Sequence, residues 1–140
     1  MYITKRNIFN ILIRIPAPVI LILSVYASSV PIALPLEGIE ISDKLIHLVC
    51  FAGLSGAWSW WWPPDVWKKR PLRCALITVL AVSAYGVLDE FHQSFVPGRQ
   101  VSAFDWAADT VGAVLGCAAG WFSVRFILFR KSAPSAGSKS

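Results

Sequence analysis

The sequence predicts an all-α polytopic membrane protein: four transmembrane helices in a small bundle, both termini cytoplasmic. Three observations lead there. Of 140 residues, 56% are hydrophobic and 15% charged, against roughly 25% charged in an ordinary soluble domain. That supplies too little polar surface for a soluble fold of this size and too much apolar side chain for a disordered chain. The apolar residues gather in four runs, each near the ~20 residues that a helix needs to cross a bilayer. Finally, the basic residues are concentrated at alternate connections between the runs.

The first run, residues 15–36, follows Lys5, Arg6 and Arg14 and contains Pro16, Pro18, Pro31 and Pro35. Its regular helix is expected between these prolines. The small residues of YASSV admit a signal-peptide reading, but the apolar stretch continues through Pro31-Ile-Ala-Leu. The second run covers 45–62, the third 74–95 and the fourth 106–129. Residues 1–131 therefore read as a single transmembrane domain, and the Ser/Gly/Pro-rich 132–140 as a disordered tail.

The positive-inside rule orients the bundle. The N-terminus is basic, the second connection holds Lys68, Lys69, Arg70 and Arg73, and the last span ends in Arg125, Arg130 and Lys131. The first connection holds Glu37, Glu40 and Asp43, and the third, VPGRQ, only Arg99. Both termini are then inside, with the first and third connections outside. The net charge of +5 is thus a topology signal, and no nucleic-acid partner is implied. Trp58, Trp60, Trp61, Trp62 and Trp67 suit an interfacial aromatic belt. No basic groove accompanies them to make a base-stacking platform. Cys50, Cys74 and Cys117 form no CxxC or Cys/His spacing, so they read as small buried hydrophobes without thiol chemistry.

Charges inside spans are costly and face the bundle interior or a water-filled cavity. Here they concentrate near one leaflet, the outer one. Asp43, Lys44 and His47 open the second span; Asp89, Glu90, His92 and Gln93 close the third; Arg99 follows; Asp105 and Asp109 open the fourth. At 1.5 Å per residue, Glu90 lies about 7–9 Å below the end of its helix. Asp43 and His47, and likewise Asp105 and Asp109, share a face at i,i+4. Asp109 continues into the stripe Gly112, Gly116 and Gly120, so the acidic face of the fourth helix is also its close-packing face.

Each of these residues has a plainer reading. Asp43 and Asp105 suit helix caps, His47 a satisfied buried histidine, and His92 an interfacial one. Lys44 can snorkel, Arg99 can be a loop cation, and Glu90 can be a structural partner of Arg99 or Lys44. Glu90 is the hardest to assign to structure alone, because a buried carboxylate in a lipid-crossing helix is expensive to keep.

The stretches DKLIHLVCF and DEFHQSFVPGRQVSAFDWAADTVGAVLG resemble the VanZ-like family of bacterial membrane proteins. The resemblance spans Asp43 to Gly116 and covers Asp43, Lys44, His47, Glu90, Gln93, Pro97, Gly98, Arg99, Asp105 and Asp109. Asp109 departs from the asparagine common at that position. The family takes its name from a protein linked to teicoplanin resistance. The resemblance implies a multi-pass protein of the bacterial plasma (inner) membrane, among membrane lipids, and the charge pattern makes it N-in/C-in.

Two functions follow. One is an envelope protein that binds a glycopeptide or a lipid-linked cell-wall intermediate, with Lys44, Gln93, Arg99, Asp105 and Asp109 as binding residues and Phe95 and Trp106 as apolar contacts. The other is a membrane enzyme on a lipid-linked or envelope substrate. Glu90 is then the general acid or base, His47 and Asp43 its partners, and Arg99 the stabiliser of developing negative charge. A metal variant would use Asp43, His47, Glu90 and Asp109, but without an HxxxH-type pair or cysteine cluster the primary expectation is no metal and no cofactor. A carrier role is disfavoured by the absence of acidic residues or histidines in the cytoplasmic half of the helices.

Overall fold

The fold is known from a computed structural model that describes residues 5–30 and 39–130. These residues form helices and no strands. Lys5–Leu12 is α1 and Pro16–Ser29 is α2. Together, Asn7–Ser29 is a 23-residue stretch long and apolar enough to cross a membrane. It is interrupted at residues 13–15, where Pro16 stands at the start of α2 and has no N–H to give to a continuous helix. The first span therefore begins earlier than residue 15. Its helix also ends earlier than 36, at Ser29, with Val30 extended (φ −95°, ψ 126°), as the residue before a proline prefers. The rest of that run and the expected C-terminal tail lie outside the described residues.

Ile39–Trp58 is α3, followed by a short 3-10 turn, Ser59–Trp61, and by α4, Pro64–Lys69. Pro71–Gln93 is α5 and Ala103–Arg130 is α6. Pro71–Gln93 and Ala103–Ile127 are also long and apolar enough to span. Among the described residues, three such stretches exist rather than the four expected. α3 is less apolar because Glu40, Asp43, Lys44 and His47 fall in its first turns. The start at Ile39 also corrects the capping role of Asp43, which sits in the second turn, past the terminal N–H groups.

The closest pairing is α3 against α6, with α5 packed on α6 and α2 on α3 and α5. The glycine stripe makes this seam. A Cβ at Gly112 would run into Leu48 O, one at Gly116 into Ala52 O, and one at Gly120 would lie 2.7 Å from Gly56 O. The helices thus approach backbone to backbone, as small residues permit where lipid removes the hydrophobic drive. Ser55 Oγ donates to Ala113 O at 2.7 Å and ties the seam near its middle.

One core cluster lies toward the polar end, with Phe51, Leu54, Val82 and Ala113. Another holds Trp67, Cys74, Cys117 and Val124 at the opposite end. The outward apolar side chains, such as Ile22, Tyr26, Leu80 and Phe122, are exposed, as lipid-facing residues are.

The tryptophan group is not a simple interfacial belt. Trp67 is buried and donates to Ser59 O at 2.9 Å, and Trp62 donates to Thr78 Oγ1 at 2.9 Å. Trp61 is exposed and bonds Arg14 O at 3.1 Å. The α3–α5 connection folds back under the bundle, and its indoles close that end from within.

Candidate functional site

Four helix ends meet where α2 ends, α3 begins, α5 ends and α6 begins. The turn between α5 and α6 fixes their registration. Arg99 N donates to Val96 O at 3.1 Å, and Gly98 has φ +84°. Proline then glycine at the two central positions, with glycine at positive φ, is a type II turn. It aims Arg99 back across the bundle end.

The sequence-derived residues converge here, with pairings of their own. His47 Nδ1 lies 2.9 Å from Asp109 Oδ1, and both residues are buried. Lys44 Nζ is 3.4 Å from Asp105 Oδ1. Arg99 is 3.7 Å from Asp43 Oδ1 and donates to Ala27 O at 3.0 Å. It thus serves one of the open carbonyls at the C-terminal end of α2. Gln93 Nε2 donates to Asp89 Oδ2 at 2.9 Å rather than to Glu90. Glu90 pairs with neither Arg99 nor Lys44: its Oε2 accepts the Ser102 N–H at 2.8 Å. Ser102 Oγ in turn accepts the Asp105 N–H at 3.3 Å. This is capping-box geometry, except that α5 supplies the acid. Asp105 therefore does not cap α6; Ser102 does, and Asp105 is left to face Lys44.

Asp109 fits because of Gly86. A Cβ on Gly86 would stand 2.9 Å from Asp109 Oδ2. Phe51 stacks between His47 and Tyr85, at ring-centroid separations of 6.3 and 5.5 Å. In front of His47 is a cavity of about 50 Å³ lined by Ser24, Ser28, Asp43, His47, Asp89, Gln93 and Arg99, among others. Glu90 and Asp109 do not line it; they stand behind His47. His92 is outside, exposed, with its Nε2 2.9 Å from Ser29 Oγ. Phe95 and Trp106 are also exposed, away from the cavity. Trp106 is held by Ser83 O at 3.2 Å.

Sequence spacing did not reveal α2 as a wall. Ser24 Oγ meets Tyr85 OH at 2.8 Å, and Ser28 and Ala27 border the cavity. Serines back-bonded to their own helix, as Ser28 is to Ser24 O at 3.0 Å, carry no pattern in a sequence. Ser102 and Gly86 were likewise missed, although a serine ahead of an acid three residues on is an N-terminus signal.

A family profile described as VanZ/LLP1 matches residues 2–127. The chain belongs to this family. VanZ/LLP1 membership and the apolar helices agree on a membrane protein of the VanZ type. No curated protein and no solved structure matches the chain significantly.

The chemistry available at this end of the bundle is acidic. Asp43, Asp89, Glu90, Asp105 and Asp109 gather around two permanent cations, Lys44 and Arg99, each already facing a carboxylate. Buried and without a hydrogen-bond partner are Glu90 Oε1, Asp109 Oδ2, Asp105 Oδ1 and Arg99 Nε.

Proposed function

We propose that the chain is a four-span protein of the bacterial plasma membrane, N-in/C-in, whose polar cavity faces the outer leaflet and binds the headgroup of a lipid-linked cell-wall intermediate. Through that ligand it would bear on the response to glycopeptides. The observation that carries this reading is the cavity itself: polar groups from α2, α3, α5 and the α5–α6 turn converge on one small space. At about 50 Å³ it takes a few heavy atoms, since about 10–15 Å³ of such space admits one water. A sugar or amine group of a membrane-tethered ligand suits it better than the body of a glycopeptide. Lys44 and Arg99 are engaged by acids, so recognition rests on hydrogen bonds to Asp89, Gln93 and Asp43 rather than on a grip on an anion.

The test is binding of a fluorescent lipid-linked cell-wall intermediate to the full chain in nanodiscs. Saturable binding is expected, weakened at least about tenfold by Gln93→Leu, since removing one buried hydrogen-bond partner of a ligand costs on that scale. Binding no better than to a plain phospholipid of the same charge would reject it. Orientation is checked separately by labelling single cysteines from outside: one at Gln100 should react and one at Lys69 should not.

A second reading is favoured by one contact. Asp109 holds His47 Nδ1, which fixes the ring and leaves Nε2 as the working nitrogen, as in carboxylate–histidine pairs that act as general bases. His47 lines the cavity and Glu90 does not, so an enzyme would use His47 first. Turnover of the same lipid in detergent without added energy would establish it.

A further inference from the structure

Behind His47 lies an arrangement that the lipid-binding reading does not use, and of which the second reading uses only the His47–Asp109 contact. His47, Glu90 and Asp109 each offer one ligand atom, all within 4.8 Å of one another, and all three residues are buried. Glu90 is 5% exposed and Asp109 0%. Both carry a buried oxygen without a partner, Glu90 Oε1 and Asp109 Oδ2. A buried carboxylate oxygen without a donor is costly to keep, and such orphan atoms call for an ion, a proton or a water. The imidazole beside them and the local excess of carboxyls over cations both favour a positive ion. We infer that His47, Glu90 and Asp109 form a binding site for one divalent first-row metal ion.

The donor set is two carboxylates and one imidazole, which suits Mn²⁺ or Zn²⁺. Tetrahedral ligands at about 2.0–2.2 Å from a metal stand about 3.3–3.6 Å apart, so these atoms, now within 4.8 Å of one another, would draw together on binding. Gly86 leaves room for Asp109 where a Cβ would press on Oδ2. The Ser102 N–H holds the other oxygen of Glu90, the outer-layer bond that orients a ligating carboxylate. A second triad, Asp43, His47 and Asp105, is the weaker site: Asp43 already faces Arg99 and Asp105 faces Lys44. The inference does not depend on which lipid the cavity takes, or on turnover.

The experiment uses the full chain in detergent, stripped with EDTA and dialysed against Mn²⁺ or Zn²⁺, with bound metal and unfolding temperature measured together. One ion per chain is expected, with a rise in unfolding temperature that EDTA reverses. Glu90→Gln and Asp109→Asn should each weaken binding by at least about tenfold, the scale on which even outer-layer changes act. Asp43→Asn and the distant Asp65→Asn should leave it unchanged. Circular dichroism reports whether each variant keeps its helices; should Glu90→Gln or Asp109→Asn lose them, His47→Gln takes its place and the wild-type stoichiometry still decides. Absence of stoichiometric binding at millimolar metal would overturn the site and return His47 to a role without an ion. Loss of binding in Asp43→Asn with retention in Glu90→Gln would overturn the assignment in favour of the second triad.

Discussion

At one end of the bundle, Asp89, Glu90, Asp105 and Asp109 are buried among four helix ends, and each is tied to a named donor, a cation or a neighbouring ring. At the other end, Lys68, Lys69, Arg70 and Arg73 stand exposed along α4 and the start of α5, while indoles fill the interior beneath them. The same class of residue therefore obeys different rules at the two ends. Exposed cations cost little and set orientation. Buried acids must be paired, hydrogen-bonded or ligated. An oxygen without a partner carries information at the first end, and a lysine without one would carry none at the second. The α3–α6 glycine seam joins the two, so perturbing it should break both ends together, whereas changes at either end should separate them.

The largest effect is expected on the seam. Gly116→Leu should abolish stable folding in detergent. Gly116→Ala, which sequence alone makes the mild substitution, should also be severe, because its Cβ would meet the Ala52 carbonyl oxygen and neither backbone can retreat without opening the seam. The cost should exceed the roughly 1–3 kcal/mol usual for overpacking with side chains, because here the added Cβ meets backbone and nothing can swing aside. Thermal unfolding monitored by circular dichroism measures both. An unchanged unfolding temperature for Gly116→Ala would mean that α3 and α6 lie farther apart than this geometry has them.

Next comes the aromatic end. Trp67→Ala removes a side chain that is 2% exposed, together with its bond to Ser59 O. A loss of about 3–5 kcal/mol is the usual cost of emptying such a position. Trp61→Ala, at an exposed position with a bond to Arg14 O, should cost far less. The two tryptophans test whether this end is a packed closure or a lipid-facing belt: equal effects would restore the belt. A smaller effect is expected for Gly98→Ala. Nothing lies within 4 Å of the added Cβ, and φ is +84°, so the cost is conformational, about 1–2 kcal/mol. Because the turn aims Arg99 at Asp43 and Ala27 O, the polar end should loosen while the aromatic end holds.

The contrast between ends also explains what was legible in the sequence. Helical spacing placed His47, Glu90, Gln93, Asp105 and Asp109 at one depth, because side chains that are rare in lipid announce themselves by type. The glycine stripe was readable for the same reason. Partnerships were not. Arg99 reaches a backbone carbonyl of α2, and Glu90 reaches a backbone N–H ahead of α6. Backbone groups are present at every residue, so no residue type marks them. The buried placement of Trp62 and Trp67 depends on α4 folding back beneath the bundle, and composition describes an interfacial tryptophan and an inward one in the same way.

The smallest effect on stability is expected at a buried acid, Glu90, and there the two properties of the site come apart. In Glu90→Gln the amide oxygen can keep the 2.8 Å bond from Ser102 N–H, so the start of α6 stays capped. The amide nitrogen then stands where Oε1 now has no partner, with the oxygens of Asp109 nearby. An uncompensated acceptor becomes a donor facing an acceptor. Replacing a buried charge by a neutral group of the same shape is often neutral or stabilising, so in metal-free protein the unfolding temperature should stay level or rise. Metal affinity should fall in the same variant. A Glu90→Gln protein that unfolds earlier without metal would show that the carboxylate holds this end together by charge, and the polar end would then resemble an ordinary ion-pair network rather than a site kept ready for an ion.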